Sequence, residues 1–191
     1  VIYTSGSTGT PKGVMVQHKS LSTYNLWFIK KYNITANDKS IVNSSPSFDG
    51  ILTSVYGCLL SGGTLHLVSS RVLNSPSHFL QYLKKFNITY LKITPTYLNL
   101  LMSKDSSELL FRNLSLRLII TGGERANISD VRKIISTSNI QLINHYGPTE
   151  TTIGSSVFNI TKNKLNLFSS KSIIGRPIDN TRIYILDQGG Q

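Results

Sequence analysis

Residues 3–13 read Tyr-Thr-Ser-Gly-Ser-Thr-Gly-Thr-Pro-Lys-Gly. Gly6, Gly9 and Gly13 free the backbone to approach a ligand closely. The hydroxyls of Thr4, Ser5, Ser7 and Thr8, with successive backbone N–H groups, can form a concave nest for phosphate oxygens. Lys12 adds a positive charge. The stretch is not a Walker A loop, because Pro11 stands where the second glycine of Gly-Lys-Ser/Thr is required. Its composition alone fits a flexible linker as well. The apolar runs on either side, Val1-Ile2-Tyr3 and Val14-Met15-Val16, favour a loop held between strands.

Three further stretches carry chemistry. Residues 144–152 read Asn-His-Tyr-Gly-Pro-Thr-Glu-Thr-Thr. There Tyr146 can stack on a flat base, Thr149 offers a hydroxyl to a phosphate, and Glu150 offers an oxygen to a hard cation such as Mg²⁺. Thr121-Gly122-Gly123-Glu124 follows an apolar run, and paired glycines there permit close approach of a ligand. Phe48-Asp49-Gly50 opens an almost wholly apolar helical stretch, so Asp49 either caps that helix or faces a cavity and binds an amine. Each of these also has a plain structural reading: a Gly-Pro turn, a strand-to-helix turn, a cap.

The elements that must hold these loops alternate along the chain. Strand-like runs stand at Val1–Tyr3, Ile41-Val42, Thr64–Val68, Tyr90–Ile93, Leu116–Ile120, Gln141–Ile143 and Arg182–Leu186. Helical spacing links Leu21, Tyr24, Trp27, Phe28 and Tyr32, then Ile51 to Leu60 before Gly62-Gly63, then Phe79, Leu80, Leu83 and Phe86. A further helix starts in Tyr97–Met102, and another carries Val131, Ile134 and Ile135 with Ser129 as its expected cap. Strands spaced by helices predict βαβ units: an α/β fold of mainly parallel sheets with helices on both faces. Ligands then belong beyond the carboxyl ends of the strands.

Composition narrows the classes. The chain has 191 residues, long enough for a sizeable core, and its 7 Phe, 9 Tyr and 1 Trp argue against disorder. A single cysteine, Cys58, excludes a disulfide framework. No apolar run approaches the ~20 residues of a membrane span. The formal net charge of +11 raises nucleic acid as a partner. Its basic residues, however, are scattered singly or in pairs such as Lys30-Lys31 and Lys84-Lys85, and its aromatics fall at core-like spacing. Neither nucleic acid nor membrane is therefore expected as a partner. His18, His66 and His78 show no metal-ligand spacing.

Taken in order, these segments resemble the adenylation domain of nonribosomal peptide synthetases, within the adenylate-forming superfamily. Tyr3–Gly13 with Val14–His18 is similar to the family's phosphate-loop motif, and Phe48-Asp49 through Gly63 to the next one. Asn144–Thr152 is similar to its Tyr-Gly-Pro-Thr-Glu motif, and Ile174-Gly175-Arg176-Pro177-Ile178 with the run through Leu186 to the one after. The resemblance implies part of the large N-terminal subdomain of an adenylate-forming enzyme, cytoplasmic, with residues 1–191 as a partial domain cut at both ends and no second domain. Such a piece is expected to be inactive by itself.

The same resemblance implies roles. Thr4, Ser5, Gly6, Ser7, Thr8, Gly9 and Lys12 would hold ATP phosphates. Thr149 would contact the α-phosphate and Glu150 would hold Mg²⁺. Tyr146, with Gly123 and Glu124, would bind adenine. An amino-acid carboxylate would attack the α-phosphate, and the acyl group would pass to the phosphopantetheine thiol of a carrier domain. A free-standing acyl-CoA or amino-acid ligase is the alternative, and the acyl-CoA version predicts no amine partner such as Asp49.

The resemblance also implies a substrate pocket of Asp49, Gly50, Thr53, Lys92, Ile120, Gly122, His145, Ile153 and Gly154. Asp49 would bind the substrate's α-amino group. Lys92 and His145, read as two cationic groups on one wall, suit an acidic side chain. Two unit charges ~4 Å apart gain about 4 kcal/mol at an effective dielectric near 20, before desolvation. A bound carboxylate should favour imidazolium at His145. The pattern resembles the family's set for aspartate, with asparagine next. Gly50 stands where the family commonly has Leu, which leaves glutamate or a substituted aspartate open.

Overall fold

The structure is a computed structural model that describes residues 1–5, 9–103, 111–112, 114–171 and 173–190. Strands β1 (Ile2–Thr4) and β2 (Lys12–Val14) form an antiparallel pair with Ile2 opposite Val14. This pair flanks the glycine-rich stretch. Helix α1 (His18–Tyr32) buries Tyr24, Trp27, Phe28 and Tyr32, a stripe at helical spacing. It ends at Asn33, whose left-handed φ of 49° lets its N–H reach Ile29 O and Lys30 O.

Strands β3 (Lys39–Val42) and β4 (Thr64–Leu67) pair in parallel, joined by helix α2 (Ile51–Leu59). Helices α3 (Ser70–Leu73) and α4 (Pro76–Phe86) lead to the main sheet. There β5 (Tyr90–Ile93), β6 (Leu118–Gly122) and β7 (Gln141–Tyr146) run parallel, with α5 (Pro95–Met102) following β5 and α6 (Ile128–Thr137) crossing from β6 to β7. Strands β8 (Ser156–Ile160) and β9 (Arg176–Pro177) extend the sheet antiparallel beyond β7, and the short helix α7 (Leu165–Ser170) lies between them in sequence. The expected α/β architecture is present, with β5, β6 and β7 parallel on one side of the main sheet and β8 and β9 antiparallel on the other.

The strands' period of two divides the core. Leu91, Ile93, Ile119 and Leu142 pack with Phe79, Leu83, Val131 and Ile134 on one face. Tyr90, Leu118, Ile120 and Ile143 pack with Tyr24, Trp27, Phe28 and Tyr32 on the other. Lys92 and His145 have the parity of this second face. Two sequence expectations fail locally. Asn127, not Ser129, caps α6, its side chain accepting from Ser129 N–H. The run Arg182–Leu186 forms no strand and stays exposed, with Ile185 97% exposed. Alternation shows that a stretch could lie half-buried, but a strand also needs a neighbour's edge to bond.

The floor of the sheet is tied by a charged knot. Arg117 Nε and Nη2 each donate to Asp38 at 2.9 Å, and Nη1 and Nη2 donate to the carbonyls of Tyr32 and Asn33. Thr89 Oγ1 and the Thr35 N–H also donate to Asp38. Burial alone would push the Asp38 carboxyl up; these donors override it and hold it below its usual range. One bidentate pair therefore joins the end of α1 to the starts of β3, β5 and β6. A buried pair broken on one side costs about 3–5 kcal/mol, and the Arg117 side chain is 39% exposed, so screening reduces this. Arg117→Ala should lower the opening free energy of the amides around Asn33 and Thr89 by about 2 kcal/mol, read by native-state hydrogen exchange. The Asp38 contribution is present at neutral pH and is lost as pH falls through its depressed value.

Candidate functional site

Parallel register builds the site. Lys92 lies beside Ile120, Ile120 beside Ile143, and Gly122 beside His145. The side chains of Lys92 and His145 therefore emerge on one face near the carboxyl ends of neighbouring strands. Lys92 Nζ reaches His145 Nδ1 at 2.9 Å. On the other side of the ring, His145 Nε2 lies 3.3 Å from the Tyr24 hydroxyl, which in turn lies 2.8 Å from Thr53 Oγ1. The imidazole packs directly against Gly154. A Cβ on Gly154 would stand 1.8 Å from His145 Nε2, and one on Gly122 would stand 2.1 Å from the His145 carbonyl oxygen. Only glycine fits at either position.

Electrostatics here differ from the two-cation expectation. Burial drives the His145 imidazole well below its ordinary 6.5, and the neighbouring Lys92 drives it further. Burial also pulls Lys92 down from 10.5 to about 8, against the attraction of Asp49. The pair thus carries one positive charge at pH 7, on Lys92, and His145 is neutral.

Three recesses meet at this layer. The smallest, about 160 Å³, is lined by Asp49, Gly50, Lys92, Gly122, Gly123 and His145 together with Asn43, Ser44, Phe48 and Tyr97. A second, about 330 Å³, shares Asp49 with the first and adds Leu52, Thr149, Thr152 and Ile153. The third, about 460 Å³, shares Gly123 and His145 with the first and adds Glu124, Asn144, Tyr146 and Pro148. Asp49 sits where the first two meet, and its Oδ2 is buried without a hydrogen-bond partner among the described residues. A buried carboxylate oxygen of this kind calls for a donor, and its place at the edge of two recesses leaves it open to one from water or a ligand.

The sequence-derived site residues divide accordingly. Asp49, Gly50, Lys92, Gly122 and His145 share the small recess. Ile153 and Thr149 border the second, and Gly123, Glu124 and Tyr146 the third. Thr53 and Gly154 act from behind, on Tyr24 and on the His145 ring. Ile120 is buried in the core beneath the layer. Thr4, Ser5, Gly9 and Lys12 lie on or beside the β1–β2 pair and line none of the three recesses. Gly6, Ser7 and Thr8 lie outside the described residues. Glu150 is exposed on the turn Thr149–Thr151.

Other features were not read from sequence. Glu124 is anchored, its carboxylate accepting from the Thr96 N–H at 3.1 Å and from the Thr96 hydroxyl at the start of α5. Thr152 and Ile153 carry φ of 67° and 65°, which is strained for β-branched residues and marks the wall beside Thr149. Tyr24 was legible only as part of an apolar stripe. The available signal was its hydroxyl, which a buried tyrosine must satisfy. Among the described residues no group of three or more His, Cys, Asp and Glu side chains is placed to hold a metal. The lone Glu150 carboxylate fits Mg²⁺ in the usual manner of that ion, which takes one or two carboxylates plus ligand phosphates.

An α/β sheet with recesses at the carboxyl ends of its strands defines a small-molecule-binding domain. The AMP-binding enzyme family model matches residues 1–191, and the chain belongs to that family. Within it, the chain is 41% identical over 189 residues to bacitracin synthase 3 of Bacillus licheniformis, covering 98% of this chain and 3% of that protein. It is 39% identical over 191 residues to surfactin synthase subunit 2 of Bacillus subtilis (strain 168), covering 98% of this chain and 5% of that one. The chain therefore spans a few per cent of these curated relatives' length. Its structure also matches a four-domain nonribosomal peptide synthetase solved with AMP and glycine bound, with a TM-score of 0.86 and 28% identity. That match covers 100% of this chain and 13% of the solved one. No described helix is long and apolar enough to cross a membrane.

The buried Lys92 ammonium has a testable cost. Its folded-state value of about 8 lies below the ordinary 10.5, so the unfolded chain binds more protons between those limits and stability rises with pH there. Relative to Lys92→Met, the wild-type protein should gain roughly 3 kcal/mol between pH 8 and 10.5 in urea unfolding. Parallel pH profiles for the two proteins would show that the ammonium is solvated.

Proposed function

We propose that residues 1–191 form part of an adenylation domain that activates an amino acid with ATP, giving an aminoacyl-adenylate and pyrophosphate. The observation that carries this reading is the orphaned Asp49 carboxylate oxygen at the junction of two recesses, opposite the Lys92–His145 pair. Asp49 would take the α-ammonium of the substrate. Lys92, holding the site's one positive charge, would take an acidic side chain, and aspartate fits best, with asparagine next. His145 stays neutral in the free protein and serves as an acceptor that steadies Lys92.

The third recess, with Tyr146, Gly123 and the anchored Glu124, suits the adenine ring. Thr149 faces the recess that also holds Asp49, so an α-phosphate there would lie near the substrate carboxylate. Thr4, Ser5, Gly6, Ser7, Thr8, Gly9 and Lys12 are proposed for the outer phosphates. Mg²⁺, held by Glu150 and the phosphates, would neutralise charge on the leaving pyrophosphate. The protein's contribution is then alignment and fixed charge rather than covalent chemistry. Transfer of the acyl group to phosphopantetheine on a carrier domain in the cytoplasm, and inactivity of residues 1–191 alone, follow from the same reading.

ATP–pyrophosphate exchange by the full-length protein across the amino acids tests the proposal. Aspartate should lead, and kcat/KM for it should fall as pH rises through about 8, where Lys92 loses its charge. Lys92→Met should reduce aspartate activation about 10–100-fold. A leading neutral amino acid would overturn the aspartate assignment. Gly50 sets the pocket's length: a Cβ there would touch Lys92 Cε at 3.5 Å, an ordinary contact. Gly50→Leu should therefore fold normally and raise the preference for aspartate over glutamate, measured as the ratio of their kcat/KM values.

A further inference from the structure

Behind the pocket, a chain of three side chains from distant parts of the sequence ends on His145. Lysine is a donor only, so Lys92 Nζ at 2.9 Å requires His145 Nδ1 to accept. A neutral imidazole has one N–H, which then lies on Nε2. That nitrogen faces the Tyr24 hydroxyl at 3.3 Å, and His145 Nε2 has no other hydrogen-bond partner among the described residues. Tyr24 can accept from Nε2 and pass its own proton toward Thr53 Oγ1 at 2.8 Å. Tyr24 is only 2% exposed, and its ring packs at 5.7 Å from both His145 and Trp27. The ring also lies directly against Gly154, where a Cβ would stand 1.8 Å from Nε2.

We propose that Tyr24 is a positioning residue for substrate selection: its hydroxyl fixes the Nε2–H form of His145, which turns the Nδ1 lone pair to Lys92 and holds that ammonium toward the substrate's acidic side chain. The inference rests on the acidic-substrate reading above, but the proton's position on the ring does not. With Phe at position 24, the Nε2–H has no acceptor. The Nε2–H form then loses one of the two contacts that favour it, so the Nδ1–H form, which opposes the Lys92 ammonium instead of holding it, gains population. Tyr24 touches no reacting atom, so binding of the acidic substrate should suffer and the chemical step should not.

Nitrogen-15 NMR of the full-length protein with labelled histidine reads the tautomer directly, with His145→Gln assigning the signal. The wild-type protein should show neutral Nε2–H at pH 7, and Tyr24→Phe should show Nδ1–H or a mixture. In pyrophosphate exchange, Tyr24→Phe should raise KM for aspartate about tenfold and leave kcat within about twofold, as expected for one lost buried hydrogen bond. Imidazolium or Nδ1–H in the wild-type protein overturns the proposal, and this spectrum decides even if Tyr24→Phe does not fold. An unchanged tautomer or an unchanged KM in a folded Tyr24→Phe protein also overturns it. If the wild-type protein activates a neutral amino acid instead, the substrate reading fails, and the spectra still decide whether Tyr24 sets the tautomer.

Discussion

A lysine ammonium stands on the apolar face of a β-sheet, and most of the site is arranged around keeping it there. Lys92 follows Tyr90 on the same face of β5, above a layer of Leu118, Ile120 and Ile143. Charge on such a face is costly unless it is hydrogen-bonded and paired. His145 supplies the acceptor and Asp49 the countercharge. Accommodating the imidazole then dictates glycine at position 154, and the close approach of the His145 carbonyl dictates it at position 122. The imidazole also requires a polar tip on the otherwise apolar stripe of α1, which Tyr24 provides. The walls of the small recess and the packing of the second core thus share the same contacts.

Parallel strands bring these groups together. Because β5, β6 and β7 run in one direction, their ends open on one side, and each contributes to the floor of the small recess. The shared residues Asp49, Gly123 and His145 make the three recesses one continuous surface. At the opposite end, the Arg117–Asp38 knot fixes the starts of β3, β5 and β6 to the end of α1. The helix that carries Tyr24 is therefore held to the sheet at its far end by charge and at its middle by aromatic packing.

Much of this was legible in the chain itself. Alternating strand and helix patterns gave the α/β class, because burial of one face imposes periods of two and 3.6. The glycine-rich, Tyr-Gly-Pro-Thr-Glu and Phe-Asp segments were recognisable from their residue types and order along the chain. Lys92 was conspicuous as a charge interrupting an apolar strand. Edges were less legible: Arg182–Leu186 alternates like a strand, yet pairing depends on a neighbour that the local sequence does not specify.

The sequence by itself determined which groups the site contains: Asp49, Lys92, His145, and the glycines that leave room for them. Only the tertiary structure decided the charge they carry and the direction in which they point. The His145 proton is set by burial and by two partners, Lys92 and Tyr24, that lie 53 and 121 residues away in the chain. Residue type fixes which charges are available, but solvation and neighbours fix which are expressed. That is why two apparent cations in the sequence become one ammonium and one neutral acceptor in the folded protein.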